Sequence, residues 1–387
     1  MKHIGIVVPD FPVLTETFVR TEIIALLDAG HRVTVFTFNK TNLPWSHTDI
    51  IEFAKLSDGE ALSSWLKAPQ SLRRNAKTVA QEQKSISTFS LLREAAKLRI
   101  HIQRFNIEHL HCHFMQNSIA YGLVAAKLSG ISVSAIGHGH DVYVAPHDLE
   151  VKIKYCNFIV AVCKSMESYF QTFNKERVKL LHCGVDTNFF KPKARTFHTC
   201  KKFLFIGRLV EQKGLKYAIK AISALPPKLS LTLDIIGDGP LMYDLIELID
   251  ELKLTEKVRL LGAKSSHEIA HLAGDYDALI APFCISEKGE KDTGPVVLKE
   301  AMAMGLPVIT CDVMGCSEIV NPEVGYIVES RNAADLERAI IDFCNASNTR
   351  TQAMRSNARK RAEAVFNAQN QAIKLSALIE NAHYEFN

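Results

Sequence analysis

Three observations predict an α/β protein of two doubly wound, Rossmann-like domains facing a cleft. Apolar, β-rich runs of four to six residues alternate with longer helical patterns through most of the chain, and such alternation builds parallel sheets covered by helices on both faces. The series breaks at a polar segment, Phe190-Lys-Pro-Lys-Ala-Arg-Thr-Phe-His198, and then starts again. A chain of 387 residues also exceeds what one ordinary core organises.

In the first domain, residues 1–190, strands are expected near Ile4–Val8, Arg32–Phe36, His109–His111, Val133–Ile136, Phe158–Val162 and Val178–Leu181. Helices are expected near Phe18–Asp28 and Ser118–Leu128, and the stretch from about 39 to 101 resists the alternation and reads as a helical insertion. In the second domain, residues 191–369, strands fall near Phe203–Ile206, Thr232–Ile236, Val258–Leu261, Ala278–Ala281, Val308–Thr310 and Tyr326–Val328. The tail from about 370 to 387 carries Leu375, Leu378 and Ile379 at helical spacing and is expected to pack back on the first domain as a final helix.

Composition narrows the function classes. The chain is 47% hydrophobic and 23% charged, as expected of a soluble globular protein. No apolar run approaches the ~20 residues that a spanning helix needs. The N-terminus enters the strand-like run His3–Val8 without a signal-peptide layout. Nine cysteines without paired spacing fit reduced thiols and a cytoplasmic location. The net charge is only +4, but nine basic residues (Lys67, Arg73, Arg74, Lys77, Lys84, Arg93, Lys97, Arg99, Arg104) crowd one segment beside Trp65, Leu66, Phe89, Leu91 and Leu92. That segment reads either as a solvated helical face or as a surface docking on anionic lipid at the inner face of the plasma membrane. No base-reading module is visible, so nucleic acid is not expected as a partner. Walker, G-x-S-x-G and H-E-x-x-H motifs are missing, which removes the commonest NTPase, hydrolase and metalloprotease readings.

The most informative stretch is Asp292-Thr-Gly-Pro-Val-Val-Leu-Lys-Glu300. Pro295 suits the first helical position, so the amides of Val296, Val297 and Leu298, following Gly294, point out of a helix end as an anion seat. A carboxylate on either side, Asp292 and Glu300, suggests hydroxyls flanking a diphosphate, as in a nucleotide sugar. Upstream, a buried strand ends at Gly207, and Arg208 and Lys213 emerge from the following turn. Two cations at the carboxyl end of a strand can grip both phosphates, one as a planar fork and one as a mobile point charge. Gly237, in Ile235-Ile-Gly-Asp-Gly-Pro240, and Gly262 with Ala263, in Leu261-Gly-Ala-Lys264, mark two more strand-end turns. The second is well placed to close around a nucleobase; each is also an ordinary tight turn.

In the first domain, His138 stands between glycines in Gly137-His-Gly-His-Asp141 after an apolar strand. Its ring can donate to a substrate hydroxyl or a developing charge, with Asp141 orienting it or contacting an acceptor. His109-Leu-His-Cys-His113 invites a zinc assignment, but strand alternation is expected to send its side chains to both faces, and no second ligand pair follows. Asp275-Tyr-Asp277 has a D-x-D form but precedes an apolar strand and reads as a turn. No metal site and no cofactor are therefore expected.

Together, these motifs resemble the retaining glycosyltransferases of family four, which have the GT-B fold. The matching pieces are Phe11-Pro-Val-Leu-Thr-Glu-Thr-Phe18, His111-Cys-His-Phe114, His138-Gly-His-Asp141, Cys183-Gly-Val-Asp-Thr-Asn-Phe189, Gly207-Arg-Leu with Lys213-Gly, Gly237-Asp-Gly-Pro240 and the 292–307 block. The Thr-Glu-Thr-Phe and His-x-His-Phe pieces look most like enzymes of bacterial exopolysaccharide, colanic-acid-type or capsule assembly. The resemblance implies that Arg208 and Lys213 hold the donor diphosphate, of a UDP- or GDP-sugar, and that Glu300 accepts the ribose hydroxyls. Residue 292 would contact the transferred sugar, the amides after Gly294 would meet the phosphates, and His138 would lie near the reaction centre. The sugar would pass, with configuration retained and without a metal, to a glycan or lipid-linked acceptor. Where the family pattern has Glu, this chain has Asp292, one methylene shorter, and Val13-Leu-Thr-Glu-Thr17 replaces a glycine-rich first loop. Epimerases and phosphorylases of the same architecture, or a membrane-associated binding subunit without transfer activity, are the competing readings. The sugar, the base, the acceptor and the oligomeric state are open at this stage.

Overall fold

The structure is a computed structural model that describes residues 1–193 and 200–386, so residues 194–198 of the expected linker lie outside the described residues. The chain forms two compact units, Met1–Gly184 with Ala368–Asn387, and Val185–Asn367.

The first unit runs β1 (His3–Phe11), α1 (Thr17–Asp28), β2 (Arg32–Lys40), β3 (Ile50–Glu52), α2 (Asp58–Lys67), α3 (Gln70–Glu82), α4 (Thr88–Phe105), β4 (His109–His113), α5 (Asn117–Ser129), β5 (Ser132–Ile136), α6 (Leu149–Tyr155), β6 (Phe158–Ala161), α7 (Lys164–Gln171) and β7 (Val178–Leu180). Its seven strands are all parallel, in the order β3-β2-β1-β4-β5-β6-β7. Ile4, Ile6, Val33, Val35, Leu110, Val133 and Ile159 are buried in it, as strands covered on both faces require. The C-terminal helix, Ala368–Asn381, packs on α1, and Lys2 N–H donates to Glu380 at 3.0 Å.

The 39–101 stretch is not purely helical, because β3 adds an edge strand paired Val35↔Ile50, Phe36↔Ile51 and Thr37↔Glu52. Three residues are too few for a period-two pattern to announce itself. The helices that follow are well specified. Ser57 and Glu60 form a capping box at α2 and Ser87 caps α4, each satisfying amides that the helix leaves unpaired. Helix α4 packs on both α2 and α5, which turns part of the basic run inward. Lys97 and Arg99 are only 6% and 5% exposed. Lys97 pairs with Glu94 at 3.3 Å, and Arg99 donates to the Leu128 and Ser64 carbonyls. These two cations and Leu91 are therefore unavailable at the surface, whereas Lys67, Arg74, Lys77, Lys84 and Arg104 are exposed, with Leu66 and Phe89 among them. No described helix is long and apolar enough to cross a membrane.

The second unit runs β8 (Lys201–Ile206), α8 (Leu215–Ala224), β9 (Leu231–Ile236), α9 (Met242–Glu251), β10 (Val258–Leu260), α10 (Ser266–Leu272), β11 (Ala278–Ala281), α11 (Val296–Ala303), β12 (Val308–Cys311), α12 (Cys316–Ile319), β13 (Gly325–Val328), α13 (Ala333–Asn345) and α14 (Asn348–Val365). Six parallel strands lie in the order β10-β9-β8-β11-β12-β13. The core joins Phe203, Phe205, Leu233, Ile280, Leu298, Ile309 and Phe343. In both sheets the strand order reverses beside the first strand of the unit, β1/β4 and β8/β11. Ligand sites of such sheets sit at that reversal, outside the carboxyl ends.

The strand-end turns of the second unit are knit to one another. Gly207 N–H donates to Ile236 O at 3.0 Å and Gly237 N–H to Gly262 O at 2.9 Å. Gly237 has φ +154°, and a Cβ there would stand 1.8 Å from Gly207 O, so only glycine fits. We expect Gly237→Ala to lower the melting temperature of the second unit by the equivalent of about 1–3 kcal/mol, measured by calorimetry, while leaving the first unit's transition in place.

Candidate functional site

In the second unit, the loop from Gly207 to Gly214 leaves β8 and meets the loop that leaves β11. A Cβ on Gly214, φ +67°, would lie 1.8 Å from Pro282 O; Cys284 N–H donates to Gln212 O at 3.0 Å and Glu287 N–H to the Glu211 carboxylate at 3.2 Å. This docking brings two distant residues together. Lys213 Nζ donates to Asp292 Oδ1 at 2.9 Å, both side chains being mostly buried, and sits 4.9 Å from the Phe283 ring centroid. Asp292 Oδ2 is buried and accepts no hydrogen bond from the described residues. It is an acceptor that the described residues leave unserved.

Helix α11 starts one residue later than expected. Pro295 is its N-cap, with φ −59° and ψ 117°, because that ψ is extended rather than helical. Val296, Val297 and Leu298 thus supply the amides that precede the first intrahelical bond, and the partial positive charge there favours an anion. Buried Lys299 reaches back to Gly294 O at 3.4 Å. Glu300 follows on the same helix, and burial pushes its carboxyl up to about 7, against a smaller opposing pull from Lys299. Arg208 is exposed on the β8–α8 loop, Gly207, Gly237 and Gly262 are joined as described, and Ala263 is exposed beside them. The arrangement offers two cations and a helix end for an anion, with two carboxylates as hydroxyl acceptors. Asp277 is occupied otherwise, since it accepts Lys202 N–H at 2.9 Å, as a turn into β11 requires.

The first unit holds His138 at the carboxyl end of β5. Its ring lies 4.4 Å from Phe18, 4.7 Å from Phe114 and 5.4 Å from His113, parallel to the last. Phe114 takes φ 73°, an outlier for a bulky residue of the kind that collects at functional sites. Burial holds His138 well below the usual imidazole range, so the ring is neutral and a hydrogen-bond donor from one nitrogen. Asp141 is turned to the backbone and not to that ring. It accepts the amides of Met115, His138 and Gly139 at 2.6, 3.0 and 2.8 Å, fixing the turn from within the protein. Burial still raises its carboxyl.

The expected split of His109-Leu-His-Cys-His113 across two faces is overturned. Residues 109, 111 and 113 are two apart and share one face. His109 and His111 both contact Ser134 Oγ at 2.7 Å, and His111 and His113 both face Glu22 of α1, at 3.4 and 3.1 Å. Burial lowers His109 and His111, and His113 together with His111 holds Glu22 far below the usual carboxylate range despite its own burial. Sequence reasoning missed Glu22; the signal was its place one turn after the Thr15-Glu-Thr-Phe18 motif on the helix following β1.

Residues 15–189 match the family profile described as Glycosyltransferase Family 4, and residues 186–361 match Glycosyl transferases group 1. A colanic acid biosynthesis glycosyltransferase of Escherichia coli (strain K12) is 25% identical over 97% of this chain and 99% of its own length. An amylovoran biosynthesis glycosyltransferase of Erwinia amylovora is 30% identical over 43% of this chain and 42% of its own. Among solved structures, Anabaena HepE in complex with UDP-glucose shares the fold with a TM-score of 0.73, at 17% identity, over 98% of this chain and 100% of its own.

Because the native Glu300 carboxyl holds its proton up to about 7 against an ordinary 4.5, folding takes up a proton in that window and stability falls as pH rises through it. Glu300→Gln is expected to flatten that fall. Its melting temperature should match wild type near pH 4.5 and exceed it above pH 7, by the equivalent of about 1–2 kcal/mol after allowance for partial solvation.

Proposed function

The chain belongs to the family-four glycosyltransferases of GT-B fold, and we propose that it moves a sugar from a nucleoside-diphosphate donor to an acceptor hydroxyl with retained configuration, in assembly of a bacterial exopolysaccharide. The observation that carries this reading is the Lys213–Asp292 contact beside the N-terminus of α11. It sets a cation for a phosphate next to a carboxylate with one oxygen left for a sugar hydroxyl. Arg208, Lys213 and the amides of Val296 and Val297 hold the diphosphate and stabilise the charge that grows on it as the sugar leaves. Glu300 takes the ribose hydroxyls and the turns at Gly237, Gly262 and Ala263 border the base. Those cations and amides supply the stabilisation that a metal provides elsewhere, so the donor site works without one. A UDP-sugar is favoured, because HepE was solved with UDP-glucose and shares the fold. His138, in the first unit, serves the transferred sugar as a neutral donor. The exopolysaccharide setting draws support from the names of the Escherichia coli and Erwinia relatives, and the acceptor proposed with it is a glycan or a lipid-linked one. Attachment to an anionic membrane is supported by the exposed Lys67, Arg74, Lys77 and Lys84 with Leu66 and Phe89.

Calorimetric titration with UDP in excess EDTA tests the donor site. Saturable binding that falls at least about tenfold in Arg208→Ala, or about 1.4 kcal/mol, is the expected result; binding indifferent to Arg208 rejects the diphosphate assignment. Sedimentation with vesicles of anionic lipid tests the membrane. We expect binding at low salt that is lost as ionic strength rises and weakened when two exposed charges of α3 are removed by the double variant Arg74→Gln, Lys77→Gln.

A further inference from the structure

Glu22, His111 and His113 are bound into a buried network that runs through two serines of β5. Ser132 Oγ lies 2.8 Å from His109 Nδ1, and Ser134 Oγ lies 2.7 Å from both His109 Nε2 and His111 Nδ1. His111 Nε2 is a buried atom that faces the Glu22 carboxylate at 3.4 Å. His113 meets the same carboxylate oxygen through Nε2 at 3.1 Å, while its Nδ1 contacts His138 Nε2 at 3.2 Å. Two imidazole nitrogens and a carboxylate oxygen, all of them able to ligate a metal, converge here.

The ligand-capable atoms of Glu22, His111 and His113 all lie within 4.8 Å of one another. Bonds of about 2.0–2.1 Å to a tetrahedral zinc ion place neighbouring ligand atoms roughly 3.3 Å apart, close to the two separations to Glu22. A cavity of about 20 Å³ adjoins Glu22 and His111, enough for one water. Both ring nitrogens on the far side are held by partners, Ser134 and His138, as metal-bound histidines are.

We propose that Glu22, His111 and His113 bind a divalent first-row transition-metal ion, with a water in the adjoining cavity as fourth ligand. This site lies wholly in the first unit and is separate from the donor site proposed above. The ion positions rather than reacts. By fixing His113 with its proton on Nδ1, it makes His138 accept at Nε2 and carry its own proton on Nδ1, which settles which nitrogen His138 can donate from.

Zn²⁺ is the probe, titrated into chelator-stripped full-length protein with a chromophoric competitor, and Co²⁺ replaces it for visible spectroscopy. We expect one ion per chain, intense tetrahedral Co²⁺ bands, and weakening by at least the roughly 10–100-fold that loss of even an outer-shell partner costs in Glu22→Gln, His113→Ala and Ser134→Ala. All nine cysteines remain in these variants, so binding that persists unchanged in folded Glu22→Gln belongs to thiols and overturns the proposal. Absence of stoichiometric binding to wild type also overturns it.

Discussion

A parallel sheet must return each strand through a crossover on one face, and where the strand order reverses, neighbouring crossovers leave toward opposite faces. The space that opens at the carboxyl ends is the constraint on which both units depend. In the second unit it lies at β8/β11, and the two loops leaving those strands are locked together by the approach of Gly214 to Pro282 and by the Cys284–Gln212 bond. In the first unit it lies at β1/β4, where α1 carries Glu22 over the histidines of β4. Neither site would exist if the strands followed one another in chain order.

Charge in these places is held at a cost. Glu300 is partly withdrawn from water with little to balance it, and Asp292 spends one oxygen on Lys213 and leaves the other unserved. Such groups destabilise the fold until a ligand offers hydroxyls and phosphates, so the energy of ligand binding and the strain of the unliganded site are two sides of one arrangement. The shorter Asp292 still reaches Lys213 at 2.9 Å, because docking of the two loops carries the lysine to it. One methylene less at residue 292 therefore need not break the charge pairing on which the site is built.

The histidines of β4 illustrate how sequence pattern can mislead when read too coarsely. Alternation does send a strand's side chains to both faces, but His109, His111 and His113 occupy every second position and so share one. What makes them a cluster is Ser134 on β5, in register with His111, and Glu22 on α1, neither adjacent in sequence. The same reasoning applies to the basic run, where packing of α4 between α2 and α5 turns Lys97 and Arg99 inward to carbonyls and Glu94. Counting charges along the chain cannot see which face a helix buries.

By itself, the sequence determined the α/β class, the parallel strands of both sheets and the turns at Gly207, Gly237 and Gly262, since these depend on local periodicity and on glycine's backbone freedom. It also placed the helix end after Gly294 to within one residue, because a Gly-Pro step restricts the backbone locally. Only the tertiary structure decided that Lys213 meets Asp292, that Asp141 serves backbone amides instead of the His138 ring, that β3 joins the sheet and that Glu22 joins two histidines. Each of these is a contact between residues far apart in the chain, fixed by strand order and crossover packing, and no local pattern carries that information.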